Sequence, residues 1–230
     1  MAAPGLIDAT RRIAAAASRA GRDPEDVALV IVSKGRSNDE VMALYEAGHR
    51  VFAENRAEAL VERLEGSLPD DIIWHFVGSV QRRKVKLVAR RTALLQSMDR
   101  ERLEGAWAMQ PDPPPVLLQV NVAAEEQKHG YPDDEVLAAA GRLTDQGVAV
   151  GGLMVIPPAP QYPEDSRRWF TRLAELGAEL TSVHPEAVEL SMGMSDDFEV
   201  AVECGATMVR LGRTIFGAEE REKDAPRPEV

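Results

Sequence analysis

Eight short apolar runs, each separated from the next by a segment of helical periodicity, constrain this chain more than any other feature. The runs are VALVIV (27–32), VFA (51–53), IIWHFV (72–77), ALLQS (93–97), VLLQVNV (116–122), VAVGGLMV (148–155), AVELS (187–191) and TMVRLG (207–212). The segments between them, such as NDEVMALYEAG, NRAEALVERLEG and DSRRWFTRLAELGAEL, place apolar residues three and four apart. Strands that alternate strictly with helices pair in parallel through right-handed crossovers. Eight such units predict an α/β fold, a single closed (β/α)8 TIM barrel, in preference to an open sheet. No dinucleotide fingerprint follows the first run, which weakens the open-sheet alternative further. The opening stretch MAAPGLIDATRRIAAAASRAG predicts an extra amphipathic N-terminal helix on the surface. Helix starts are expected at Asn38, at Asp99 and behind Pro132. The expected organisation is one barrel domain over 1–219 and a flexible, charged tail over 220–230.

Charge and cysteine content narrow the partners. A net charge of −11 and a pI near 4.9 argue against nucleic acid or an anionic membrane as the main target. The basic stretch RRKVKLVARR carries valines at helical spacing and no interleaved aromatics, so it reads as a solvated helix face. No apolar stretch is long enough to span a bilayer. The single cysteine, Cys204, leaves no intramolecular disulfide framework and suits a cytoplasmic location. His49, His129 and His184 show no spacing that resembles a metal site. PDPPP (111–115) and IPPAPQYPED (156–165) read as loops of the barrel rather than as linkers.

In a (β/α)8 barrel the C-terminal strand ends converge on one face, so the residues that close each run form the functional inventory. Run one ends in Ser33 and Lys34, run two in Glu54 and Asn55, run three contains His75, and run five is followed by Lys128. The last two runs lead into SMGMSDD (191–197) and RLGRT (210–214). Ser191, Gly193, Gly212 and Thr214 supply small side chains and backbone donors suited to an anion, where barrels of this class commonly hold a phosphate. A lysine amine that is partly desolvated condenses with aldehydes. An aldehyde, a ring and a phosphate together describe pyridoxal 5′-phosphate. Lys128 offers a second amine near the mouth, with a solvated loop lysine as the plainer reading. His75 reads either as a core histidine or as a neighbour of the ring, and Trp74, Trp107 and Trp169 read as packing residues.

The stretches LVIVSKGRSNDEVMALYEAGHRVFAEN, IIWHFVGSVQRRKVK, LLQVNVAAEEQKHG, GLMVIPP, LSMGMSDDFEVAVECGATMVRLG and IFGA resemble the pyridoxal phosphate homeostasis protein family over about residues 5 to 219. The resemblance implies an alanine-racemase-type barrel, fold type III among pyridoxal phosphate proteins, with Lys34 as the Schiff-base lysine. It further implies that Arg210 faces the pyridine nitrogen and that Ser191, Gly193, Gly212, Arg213 and Thr214 hold the phosphate. Asn55 and His75 then flank the ring or its hydroxyl. Ser79 and the Arg82-Arg83 pair depart from the family pattern, and Arg213 stands where a small hydroxyl residue is usual. The implied activity is a monomeric carrier that holds the cofactor and passes it to apo-enzymes without robust turnover. The alternative is an amino-acid racemase, which needs a tyrosine opposed to the lysine; Tyr45, Tyr131 and Tyr162 offer no obvious substitute.

Overall fold

The computed structural model describes residues 4–125 and 129–217. Eight parallel strands close into a barrel in sequence order: β1 Ala28–Val32, β2 Val51–Glu54, β3 Ile73–Phe76, β4 Leu94–Met98, β5 Val116–Val120, β6 Val150–Val155, β7 Glu189–Ser191 and β8 Met208–Leu211. Closure is made by β1 against β8, with Val30 opposite Arg210 and Ile31 opposite Leu211. The helices are α1 Pro4–Arg19, α2 Asn38–Glu46, α3 Ala57–Glu65, α4 Val85–Ala89, α5 Glu101–Ala108, α6 Val136–Asp145, α7 Arg167–Val183, α8 Phe198–Glu203 and α9 Arg213–Phe216. The expected barrel and its extra N-terminal helix are both present. The expected tail over 220–230 lies outside the described residues.

Strand parity sorts the side chains into two apolar sets. Val30, Ala53, Leu94, Leu117, Met154 and Met208 form one buried cluster, and Val32, Val51 and Val77 pack against it. The alternate residues, among them Ile31, Phe52, Trp74, Phe76, Leu95, Leu118 and Val209, join the larger cluster with the buried faces of the helices. This is the period-2 alternation of a pleated strand, with the smaller cluster filling the barrel and the larger one sealing the helical layer. Helix α1 adds Ala9, Ile13, Ala16 and Ala17 to the larger cluster, and its three small alanines let it lie close against α8 and α9.

The helix starts differ in detail from the sequence expectation. Ser37, not Asn38, caps α2, and it does so in a reciprocal capping box with Glu40. Asn38 is thereby released for a contact with Arg63. Asp99 does not cap α5; it is buried and pairs with Arg100, the residue that holds the cap position. RRKVKLVARR forms one 3-10 turn and then the five-residue helix α4, which buries Val85 and Val88 as the spacing predicts.

Candidate functional site

The C-terminal strand ends surround a cavity of about 460 Å³ lined by Val32, Lys34, Asn55, Val77, Ile156, Met194, Ser195, Arg210, Gly212 and Arg213. Val32, Asn55, Val77 and Ile156 give it apolar walls with one amide, while Lys34 and Arg210 bring cationic groups to the same space. Lys34 is exposed and stands at the first corner of the turn that follows β1. The Arg36 N–H donates to the Ser33 carbonyl at 3.1 Å to close that turn, and Gly35 takes φ +69° at its second corner. A type II turn requires such a φ, and glycine adopts it without steric cost.

Arg210 is 4% exposed, and burial holds its guanidinium down to about 10 while the nearby Asp197 carboxylate partly opposes that shift. It remains a cation at neutral pH. Nη1 donates to Ser191 Oγ at 2.7 Å and Nη2 to the Val155 carbonyl at 2.8 Å. Ser191 Oγ donates in turn to Gln96 Oε1 at 2.6 Å, and Gln96 Nε2 lies 2.9 Å from His75 Nδ1. With the Gln96 oxygen accepting from Ser191, its amide nitrogen donates to Nδ1, and neutral His75 therefore carries its proton on Nε2. Burial pushes the His75 imidazole down to about 4. Asp197 is also buried, its carboxylate accepting from Ser166 Oγ and from the Met194 N–H, and burial raises its pKa.

Two loops meet at the opposite wall. Gly193 has φ +92°, and a Cβ on it would stand 2.5 Å from Ala201 Cβ and 2.9 Å from Phe198 Cα. The Thr214 N–H donates to Ser195 Oγ at 3.2 Å, which ties the start of α9 to the loop after β7. Arg213 directs its guanidinium sideways to Asp196, forming an exposed ion pair on the rim.

The structure thus gathers Lys34, Asn55, Arg210, Gly212 and Arg213 around one cavity and places Gly193 and Thr214 in the loops that build its far wall. Ser191 and His75 are located differently. Both are buried inside the barrel, and the Ser191 hydroxyl is committed to Gln96 and Arg210 rather than to the loops. Lys128 lies outside the described residues. Several contributors escaped the sequence reading. Ser195 and Met194 sit in the SMGMSDD motif already singled out; Gln96 is a polar residue within an apolar strand; Val32, Val77 and Ile156 lie at or just past strand ends. Their signals were present but local, whereas their partners are distant in sequence. No helix among the described residues is long and apolar enough to cross a membrane, and no cluster of three or more of their His, Cys, Asp and Glu side chains is placed to hold a metal ion.

No protein-family model matches the chain. It is 38% identical over 212 residues to the pyridoxal phosphate homeostasis protein of Aquifex aeolicus, covering 90% of this chain and 93% of that protein. The Vibrio alginolyticus protein of the same name is 36% identical over 211 residues, covering 88% and 91%. Among solved structures, PipY of Synechococcus elongatus with PLP bound superposes with a TM-score of 0.74 at 31% identity, over 89% of this chain and all of that one. Alanine racemase from Corynebacterium glutamicum shares the fold alone, with a TM-score of 0.70 at 12% identity, and the match spans 60% of that chain.

Proposed function

Because the chain belongs to the pyridoxal phosphate homeostasis protein family, we propose that its barrel mouth holds pyridoxal 5′-phosphate on Lys34 and that the protein stores and hands on this cofactor. The observation that carries the reading is the cavity that brings together Lys34 on one side, Arg210 at its floor and the glycine-containing loops of Gly193 and Gly212 beyond.

The residues present fit the group. An amine suits an aldehyde, and the backbone of 193–195 and 212–214 suits a phosphate brought close by glycines whose Cβ positions are occupied or confined. When bound, the cofactor supplies an aldehyde carbon that joins the Lys34 nitrogen as C=N, its oxygen leaving as water. Arg210 sets the electronic character of the site. A guanidinium is a donor only and keeps its proton, so a ring nitrogen facing it stays unprotonated and the ring is a weak electron sink. Ser191, Gln96 and His75 then serve as the internal brace of Arg210. We assign Asn55 to the edge of the ring. The Arg213 backbone belongs to the phosphate wall, and its side chain to the rim pair with Asp196.

The same geometry favours carriage over turnover. Tyr45 donates to Asp71 and Tyr131 to Glu104, Tyr162 is exposed in the loop after β6, and none of the three is among the cavity-lining residues. A second proton donor opposed to Lys34, which racemisation needs, is therefore not supplied by a tyrosine of the same chain. We place the protein in the cytoplasmic cofactor pool, with apo-enzymes as recipients.

The test is spectroscopic. Purified protein given the cofactor is expected to acquire the absorbance band of the C=N link. Lys34→Ala is expected to abolish that band while leaving the far-UV circular dichroism unchanged. Wild-type protein without the band would remove the assignment, and robust racemisation of alanine or serine would overturn the carrier reading.

A further inference from the structure

We infer that Arg63, on α3 and outside the mouth cavity, is the positioning residue for Lys34. The inference rests on the proposed role of Lys34 and concerns how that amine is held.

The Arg63 side chain is 8% exposed, and its one guanidinium reaches three separate elements. Nη2 donates to the Ser33 carbonyl at 2.8 Å and to the Arg36 carbonyl at 2.6 Å, so a single nitrogen ties the first and last residues of the turn that presents Lys34. Nη1 donates to Asn38 Oδ1 at 2.6 Å, fixing the first residue of α2. Nε donates to Glu54 Oε1 at 3.0 Å, at the end of β2. Glu54 Oε1 also accepts from Ser33 Oγ at 2.8 Å.

Packing does not replace this clamp. A second cavity of about 550 Å³ lies on the α3 side of the turn, with Lys34, Gly35, Arg36, Glu54 and Arg63 among the residues that line it. Among the described residues no side chain fills that volume behind the turn, and Gly35 adds backbone freedom at its corner. The Arg63 donors cross that side of the turn. A planar fork with five donors meets such divergent acceptors, whereas an ammonium presents three donors from one point.

The clamp is not arranged for stability alone. Glu54 is fully buried, and its Oε2 has no hydrogen-bond partner among the described residues. A buried ion pair with an unsatisfied oxygen is commonly matched in stability by apolar residues of similar volume. An apolar side chain at position 63 could not hold two carbonyls, and this is the property that links the pair to Lys34.

The experiment compares wild type, Arg63→Met and Arg63→Lys with two ligands and with none. Pyridoxine 5′-phosphate has an alcohol in place of the aldehyde, so its calorimetric affinity reports the phosphate wall without the Lys34 bond. Pyridoxal 5′-phosphate reports that bond through the rate at which the C=N absorbance appears. Arg63→Met is expected to keep its alcohol-ligand affinity within about twofold while link formation slows by about tenfold or more, since small misplacements of a reacting group carry penalties of that size. Arg63→Lys is expected to fall between, and it carries the same comparison if the methionine variant does not fold. In ligand-free protein, amide exchange at Arg36 is expected to accelerate in Arg63→Met while β5 and β6 keep their protection. Unchanged link formation, an equal loss of both ligands, or unchanged exchange at Arg36 would overturn the role of Arg63. A wild-type protein that binds the alcohol but forms no link would instead remove the reading of Lys34, and the clamp's purpose with it.

Discussion

His75 is a residue whose chemistry is settled by one neighbour. Its Nδ1 meets the Gln96 amide inside the barrel, and burial holds the ring neutral, with its pKa pushed down to about 4 from an ordinary value near 6.5. The unfolded chain therefore binds more protons than the folded one between those two values. Stability from this residue is fully present above about pH 6.5 and is lost progressively as pH falls toward about 4. The lost amount is on the order of 3 kcal/mol. Urea midpoints measured from pH 7 to pH 4.5 are expected to fall more steeply for wild type than for His75→Asn; parallel slopes would count against the buried neutral imidazole. His49, half-buried and likewise held down by burial, adds to the wild-type slope with the same sign and is unchanged in the variant. The sequence showed a histidine in an apolar run and left two roles open. The buried contact with Gln96, 21 positions away, is what the tertiary structure adds, and it favours the packed, neutral histidine.

At the scale of elements, the sequence was most legible where a local pattern suffices. The apolar runs became strands, and RRKVKLVARR buried its valines as their spacing required. Helix starts were less legible because several residues near each one were chemically able to cap. At α2 the capping box between Ser37 and Glu40 won over Asn38, which was recruited by Arg63 instead. The approach of β2 to β3 at the mouth rests on a detail that no propensity records. A Cβ on Gly78 would stand 2.0 Å from the Asn55 carbonyl oxygen. Gly78→Ala must push the two strand ends apart, with an expected cost of about 1–3 kcal/mol for the enforced backbone shift. It should also weaken cofactor binding, because Asn55 and Val77 both line the cavity. Denaturant unfolding and a cofactor titration of the same variant check the two effects together.

For the molecule as a whole, α1 is more than an N-terminal ornament. It packs on α8 and α9, the helices that follow the two loops of the proposed phosphate wall. A Cβ on Gly5 would stand 2.1 Å from the Ile215 carbonyl oxygen, and Arg12 and Arg19 pair with Glu199 and Glu203. Ile13, 4% exposed, anchors the contact. Ile13→Ala is expected to cost about 2–5 kcal/mol in urea unfolding. It should also reduce affinity for pyridoxine 5′-phosphate, because loosening α9 loosens the Thr214 N–H held by Ser195. Loss of stability with full ligand affinity would show that α1 supports the barrel without supporting the wall.

The sequence by itself determined the strand and helix order, the preference of eight such units for a closed barrel, and Lys34 as a cation at the end of the first strand. Those properties follow from periodicity and residue type, which are local, whereas Arg210 was singled out only by the family resemblance. Tertiary structure alone decided that Ser191 braces Arg210, that Gln96 fixes the His75 tautomer and that Arg63 grips both ends of the lysine turn. Each of these depends on polar groups far apart in the chain finding each other where water is excluded. Barrel closure supplies that condition by setting Val30 beside Arg210 across the seam, and no pattern within either strand encodes it.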